Sequence, residues 1–158
     1  MHWFLENAHL LHERLGIVPL MYGSLGLQYR TGEELHADDV DILIPGVFLK
    51  ERWGELLSVL EAEGYLLVDE REHTFEKNSL HFSYAAIEEL MPFAGIEMGQ
   101  IESYTEQGVP FKLLSLEQYL NVYRASIKDG YRIQERGKKD QEKIDLIEKH
   151  LQCSGPKQ

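Results

Sequence analysis

Asp38, Asp39 and Asp41 stand at the mouth of a short apolar run, Ile42-Leu43-Ile44, and a Gly23-Ser24 step follows another apolar run upstream. If Val40 to Ile44 is a strand, residues two apart face the same way, so Asp39 and Asp41 share one face and Asp38 and Val40 the other. Cα atoms so related lie ~6.6 Å apart, close enough for both carboxylates to reach one divalent cation or a closely spaced pair. Magnesium, or manganese in its place, suits such a site: it takes hard oxygen ligands and completes its shell with water and phosphate oxygens. The Gly-Ser step supplies the complementary half. Gly23 removes a side chain where a phosphate must approach the backbone, and Ser24 with the amides of Leu25 and Gly26 opens a helix whose N-terminus favours an anion. Phosphate on one side and metal carboxylates on the other make a site for phosphoryl or nucleotidyl transfer.

The elements that must position these groups read as an alternation without repeats. Leu5, Leu10, Leu11 and Leu15 fall near helical spacing in Phe4 to Leu15, and Gly16 stops that helix. Val18 to Tyr22 reads as a strand, and Ser24 to about Tyr29 as a helix with Ser24 as its N-cap. Val40 to Ile44 is apolar on both faces beyond Asp41, as a strand in a covered sheet should be. Val47 to Glu63 predicts a helix carrying Trp53, Leu56, Leu57 and Leu60 on one side, with Gly64 at its stop. The stretches "YLLVD", "HTFEK" and "LHFSYAA" read as strands, the last two joined by a turn at Lys77-Asn78-Ser79. "IEMGQIESY" and "VPFKLL" suggest further strands around Glu106-Gln107-Gly108. Ser115 caps a helix through about Ile127, and Arg136 to Leu151 forms the last, buried along Ile144, Ile147 and Leu151. This is an α+β pattern: a small mixed sheet flanked by helices. We expect one domain over residues 1–151 and a flexible tail at 152–158.

The chain has 158 residues, 43% of them hydrophobic and 27% charged, which describes a globular protein able to bury roughly 70% of its unfolded surface. No apolar run approaches the ~18 residues that span a bilayer, the N-terminus lacks the pattern of a signal peptide, and Cys153 is the only cysteine, so no internal disulfide can form. A cytoplasmic location is the default expectation. A net charge of -11 argues against a nucleic-acid-binding surface overall. The charge is uneven, however. Arg124 to Lys143 holds seven of the sixteen basic residues against four acids, so it is +3 while the remainder is -14. That segment could pair with carboxylates or with a phosphate ligand.

The order strand, Gly-Ser, helix, loop and then D-x-D leading an apolar strand resembles the nucleotidyltransferase superfamily, whose fold is shared with DNA polymerase beta. It looks most like the minimal single-domain bacterial members, such as lincosamide nucleotidyltransferases and the nucleotidyltransferase-like proteins of toxin–antitoxin systems. Gly64-Tyr65, Ser115-Leu116-Glu117 and Lys139-Asp140 match later landmarks in the same order, so the resemblance runs from about residue 15 to 150. It implies that Gly23 and Ser24 hold phosphate and that Asp39 and Asp41 are catalytic carboxylates and metal ligands. It also implies a third carboxylate on a neighbouring strand, acting as base or completing the metal shell. Counted from the turn at Asn78-Ser79, that position holds Ser83. A serine can hydrogen-bond a phosphate or a water but is no base near neutral pH. Glu88, at the end of "SYAAIEEL", is the candidate that could reach in instead, with Glu76 a weaker one.

Other residues are open to two readings. Arg30 could fold back on a phosphate, and Lys128, Arg132 and Lys139 could neutralise a triphosphate or pair with Glu135, Asp140 and Glu142. Tyr22 reads as core. His9 and His12 lack the third ligand that a zinc site wants. His36 reads as a loop histidine, and His81 shares a strand face with Ser83 and would look into the same site. Two functions compete. One is a magnesium-dependent enzyme that moves a nucleoside monophosphate from a nucleoside triphosphate to a hydroxyl-type acceptor on a small molecule, an RNA or a protein, with a homodimer completing the acceptor pocket. The other is a catalytically degenerate module that binds nucleotide or a partner protein. A nuclease or phosphatase would need a second acidic-histidine cluster that the sequence lacks.

Overall fold

The sheet is built from both ends of the chain, and this is what assembles the site. The computed structural model describes residues 2–35, 39–128 and 130–153, without the side chains of 130–138 and 153. The chain begins with α1 (His2–Leu15), β1 (Leu20–Tyr22), α2 (Gly23–Thr31) and β2 (Asp39–Ile44). It continues through α3 (Trp53–Ala62), β3 (Leu66–Asp69), β4 (Thr74–Lys77), β5 (Leu80–Ala86) and α4 (Leu90–Ala94). It closes with β6 (Glu102–Glu106), β7 (Val109–Leu113), α5 (Leu116–Lys128) and α6 (Gly130–Cys153). The strands form one mixed sheet in the order β3-β4-β5-β2-β1-β7-β6. This is the mixed sheet with flanking helices expected from the sequence.

At its centre β2 pairs antiparallel with β1 and parallel with β5, while β1 pairs parallel with β7. Val40, Ile42, Leu43 and Ile44 are buried, so β2 is covered on both faces. One face carries Phe75, Phe82 and Tyr84; Phe75 packs edge to face on Tyr84, and Phe82 on Tyr65. Trp53 of α3 tilts against Phe75, and Asn7 of α1 donates to the buried Tyr84 hydroxyl at 2.7 Å. That single polar contact gives the buried hydroxyl a partner and pins α1.

Local chemistry explains the boundaries. Asn78 and Ser79 both take positive φ, 54° and 66°, as a two-residue hairpin turn demands. Ser115 and Gln118 form a reciprocal cap, the Gln118 amide donating to Ser115 Oγ at 3.1 Å and the Ser115 amide to Gln118 Oε1 at 2.9 Å.

Four expectations need correction. Ser24 is not the N-cap of α2: the helix opens at Gly23 and Tyr22 holds the cap position. The helix expected from Val47 is a 3-10 turn at Gly46–Leu49 followed by α3, because burying Phe48 tightens the chain into i→i+3 bonds after Pro45. Within "IEMGQIESY", Met98–Gln100 is a 3-10 turn closed by a capping box between Glu97 and Gln100. The last helix starts at Gly130, not Arg136, and runs on to Cys153, so it enters the segment expected to be tail. Among the described residues no helix is long and apolar enough to cross a membrane.

Candidate active site

Register places one residue from each of four strands in a row across the sheet. Tyr22 lies opposite Asp41, Asp41 opposite Ser83, and Ser83 opposite Thr74. Partners in register point to the same side of a sheet. The adjacent row is Asp39, His81 and Glu76. Because β1 runs antiparallel to β2, the chain leaves β1 where β2 begins, and α2 starts beside Asp41. Gly23 sits in the left-handed region at φ +64°, and a Cβ there would come within 2.5 Å of Asp41 Oδ2 and 3.2 Å of Asp41 Cβ. No residue with a side chain leaves that carboxylate where it is.

Gly23, Asp39 and the row Tyr22, Asp41, Ser83 and Thr74 line one cavity of about 670 Å³, a size that takes a drug-sized ligand. Gly23, Ser24, Asp39, Asp41, Ser83 and Thr74 form its sheet side, and Tyr119, Tyr123, Ser126, Asp140 and Lys143 of α5 and α6 its helical side. The Tyr119 hydroxyl donates to the Met21 carbonyl at 2.6 Å, tying α5 to the strand just before the Gly-Ser turn. Burial, then the neighbouring Tyr123, raises the Tyr119 pKa well above the ordinary 10, so the hydroxyl stays a donor. Gly26 makes room for it: a Cβ there would overlap the Tyr119 hydroxyl.

The residues named from sequence divide. Gly23, Ser24, Asp39, Asp41 and Ser83 come together around the cavity. Ser83 occupies the counted position on β5, its hydroxyl 2.8 Å from that of Thr74. Glu88 does not reach in: its carboxylate accepts the Gly46 amide at 2.9 Å, because the 3-10 turn after β2 brings that amide to the end of β5. Arg30, in the last turn of α2, points towards β6 and β7, donating to the Leu114 carbonyl and the Tyr104 hydroxyl. Lys128 and Lys139 are exposed and outside the lining. His81 also lies outside it, between Asp39 Oδ1 at 3.7 Å and Glu76 Oε2 at 3.4 Å. His9 and His12 are exposed on α1. Asp38, His36 and the Arg132 side chain lie outside the described residues.

Tyr22, Thr74, Lys143 and the pair Ser126 and Asp140 were missed as site residues. Tyr22 is half-buried, packed against the core as expected, and also lines the cavity. Thr74 was within reach of the sequence, since the count from Asn78-Ser79 that finds Ser83 also finds its partner. Asp140 was visible only as half of Lys139-Asp140 and as an ion-pair partner for the neighbouring basic residues; it is 4% exposed and accepts the Ser126 hydroxyl at 2.7 Å.

Two acidic side chains on one face, hydroxyls beside them and a side-chain-free turn opposite make an all-oxygen donor set suited to a hard cation. Among the described residues no third His, Cys, Asp or Glu joins them as a metal-holding group.

No family model matches the chain. Its fold is that of the crystal structure of ANT(2'')-Ia in complex with adenylyl-2''-tobramycin, at a TM-score of 0.61 and 17% identity over 98% of this chain and 91% of that one. The solution structure of the antibiotic-resistance factor ANT(2'')-Ia gives a TM-score of 0.54 at 16% identity over 97% and 92%. In sequence the chain is 40% identical over 146 residues to the uncharacterized protein YnaI of Bacillus subtilis (strain 168), covering 92% of this chain and 94% of that one. The protein therefore belongs to the family of YnaI and carries the nucleotidyltransferase fold.

Proposed function

We propose that this protein transfers a nucleoside monophosphate from a nucleoside triphosphate to a hydroxyl-bearing acceptor. The observation that carries the reading is the approach of Gly23 to Asp41, where an added Cβ would meet Oδ2 at 2.5 Å. The turn that would hold phosphate and the carboxylate that would hold a cation thus face the same cavity. In this reading Gly23 and Ser24 hold the outer phosphates at the start of α2, where backbone amides and the helix dipole favour an anion. Asp39 and Asp41 would hold magnesium or manganese, which supplies charge neutralisation at the α-phosphate. Ser83 and Thr74 offer hydroxyls to a water or a phosphate oxygen. ANT(2'')-Ia in its adenylyl-2''-tobramycin complex illustrates the product class: a nucleotide joined to a hydroxyl.

The competing reading, a binding module that has given up turnover, is favoured by Ser83 at the position opposite Asp41. Calorimetric titration of ATP and GTP with magnesium, into the protein and into Asp39→Asn/Asp41→Asn, tests the site. Magnesium-dependent binding that the double variant loses is the expected outcome. Binding that ignores magnesium and survives the substitution makes the carboxylates structural, and absence of binding leaves an interaction module.

A further inference from the structure

We propose that Asp140 is the carboxylate that takes the proton from the attacking hydroxyl, the task Ser83 cannot perform; the inference rests on the transfer reading above. Deprotonating the nucleophile needs a base held against the cavity. On the sheet side, Asp39 and Asp41 are assigned to the cation, and the position opposite Asp41 is a serine held to Thr74 at 2.8 Å. Glu76 is engaged with His81 and Glu88 with the Gly46 amide. Glu72 and Glu89 line the cavity but are exposed at its rim. Among the described carboxylates outside β2, Asp140 alone both lines the cavity and is buried, at 4% exposure.

Its setting is that of a positioned group. The Ser126 hydroxyl, itself 4% exposed, donates to Oδ2 at 2.7 Å and holds the carboxyl in one rotamer. Ser126 and Tyr119 lie two turns apart on the same face of α5, and Tyr119 is bonded to the strand that leads into the Gly-Ser turn. One helix thus references Asp140 to the phosphate-holding end of the cavity.

In the step proposed, the acceptor oxygen attacks the α-phosphorus while the bond from that phosphorus to the bridging oxygen of the β-phosphate breaks. Pyrophosphate leaves with the electron pair, and the hydroxyl proton passes to Asp140. With water as acceptor the products are the nucleoside monophosphate and pyrophosphate, so the step can be followed with Mg-ATP and Mg-GTP alone.

Asp140→Asn separates chemistry from scaffolding, because the amide oxygen can still accept the Ser126 hydroxyl while the base is gone. The expected result is an unchanged melting temperature, nucleotide affinity within ~3-fold and monophosphate release lowered at least ~100-fold. Release within ~3-fold of the unmodified protein at intact binding overturns the inference and leaves the transfer reading standing. Absence of release by the unmodified protein overturns both, and nucleotide binding that survives Asp39→Asn/Asp41→Asn overturns the site assignment on which both depend. Should Asp140→Asn unfold, Ser126→Ala carries the test. With the carboxyl unpinned, kcat falls ~10-fold or more at constant nucleotide affinity, and an unchanged kcat overturns the inference.

Discussion

Gly23→Ala tests the geometry at the heart of the site, and Gly32→Ala supplies its control. Both glycines have positive φ, +64° and +78°, but nothing lies within 4 Å of a Cβ on Gly32, whereas a Cβ on Gly23 would sit 2.5 Å from Asp41 Oδ2. An alanine forced into the left-handed region costs about 1–2 kcal/mol, and this is the whole penalty expected at Gly32. At Gly23 the carboxylate must also move by about 1 Å to restore a van der Waals gap, and overpacking of this kind adds about 1–3 kcal/mol. For a chain this long each kcal/mol moves Tm by about 2–4 °C. Gly32→Ala should therefore melt roughly 2–8 °C lower and Gly23→Ala roughly 4–20 °C lower, read by scanning calorimetry. The functional contrast is sharper. Displacing Asp41 should weaken Mg-ATP binding at least ~10-fold in Gly23→Ala, while Gly32→Ala, at the far end of α2, keeps its affinity. Equal melting shifts in the two variants would refute the close approach of Gly23 to Asp41. Unchanged nucleotide affinity in a folded Gly23→Ala protein would refute its use in binding.

Two further expectations follow from groups away from the cation. Arg30 donates to the Leu114 carbonyl and the Tyr104 hydroxyl and stacks 5.2 Å over the Tyr104 ring, so Arg30→Lys should cost about 1–3 kcal/mol of stability in denaturant titration. The same variant should leave nucleotide affinity untouched, and a loss of affinity at unchanged stability would return Arg30 to the site. At alkaline pH, burial holds the Tyr84 and Tyr119 pKa values well above the ordinary 10 in the folded protein. The folded state then binds more protons than the unfolded one above pH 10, so this contribution is intact below 10 and is lost as pH rises, by up to about 1.4 kcal/mol per unit for each tyrosine. Absorbance at 295 nm should show two of the eight tyrosines ionising only with unfolding; ionisation of all eight in the folded protein would show that neither is desolvated as described.

Local information decided much of this protein. Short apolar runs between polar breaks placed the strands, turn chemistry at Asn78-Ser79 fixed a hairpin register, and Ser115 marked the start of α5, because these signals act over a few residues. The period of a strand also put Asp39 and Asp41 on one face, and counting back from the hairpin put Ser83 on β5. Where the two halves meet is a different matter. That β1 runs antiparallel to β2 and β5 parallel to it depends on which strands pair across the chain, and only this pairing sets Gly23 against Asp41 and Ser83 beside it. The same long-range packing turned Arg30 towards Tyr104, put Glu88 on the Gly46 amide and buried Asp140 against Ser126. A charged side chain on a helix reads alike whether it faces water or a cavity. Its partner lies on another element, and the packing of α5 and α6 over the sheet made the difference between an ordinary surface acid and a buried one.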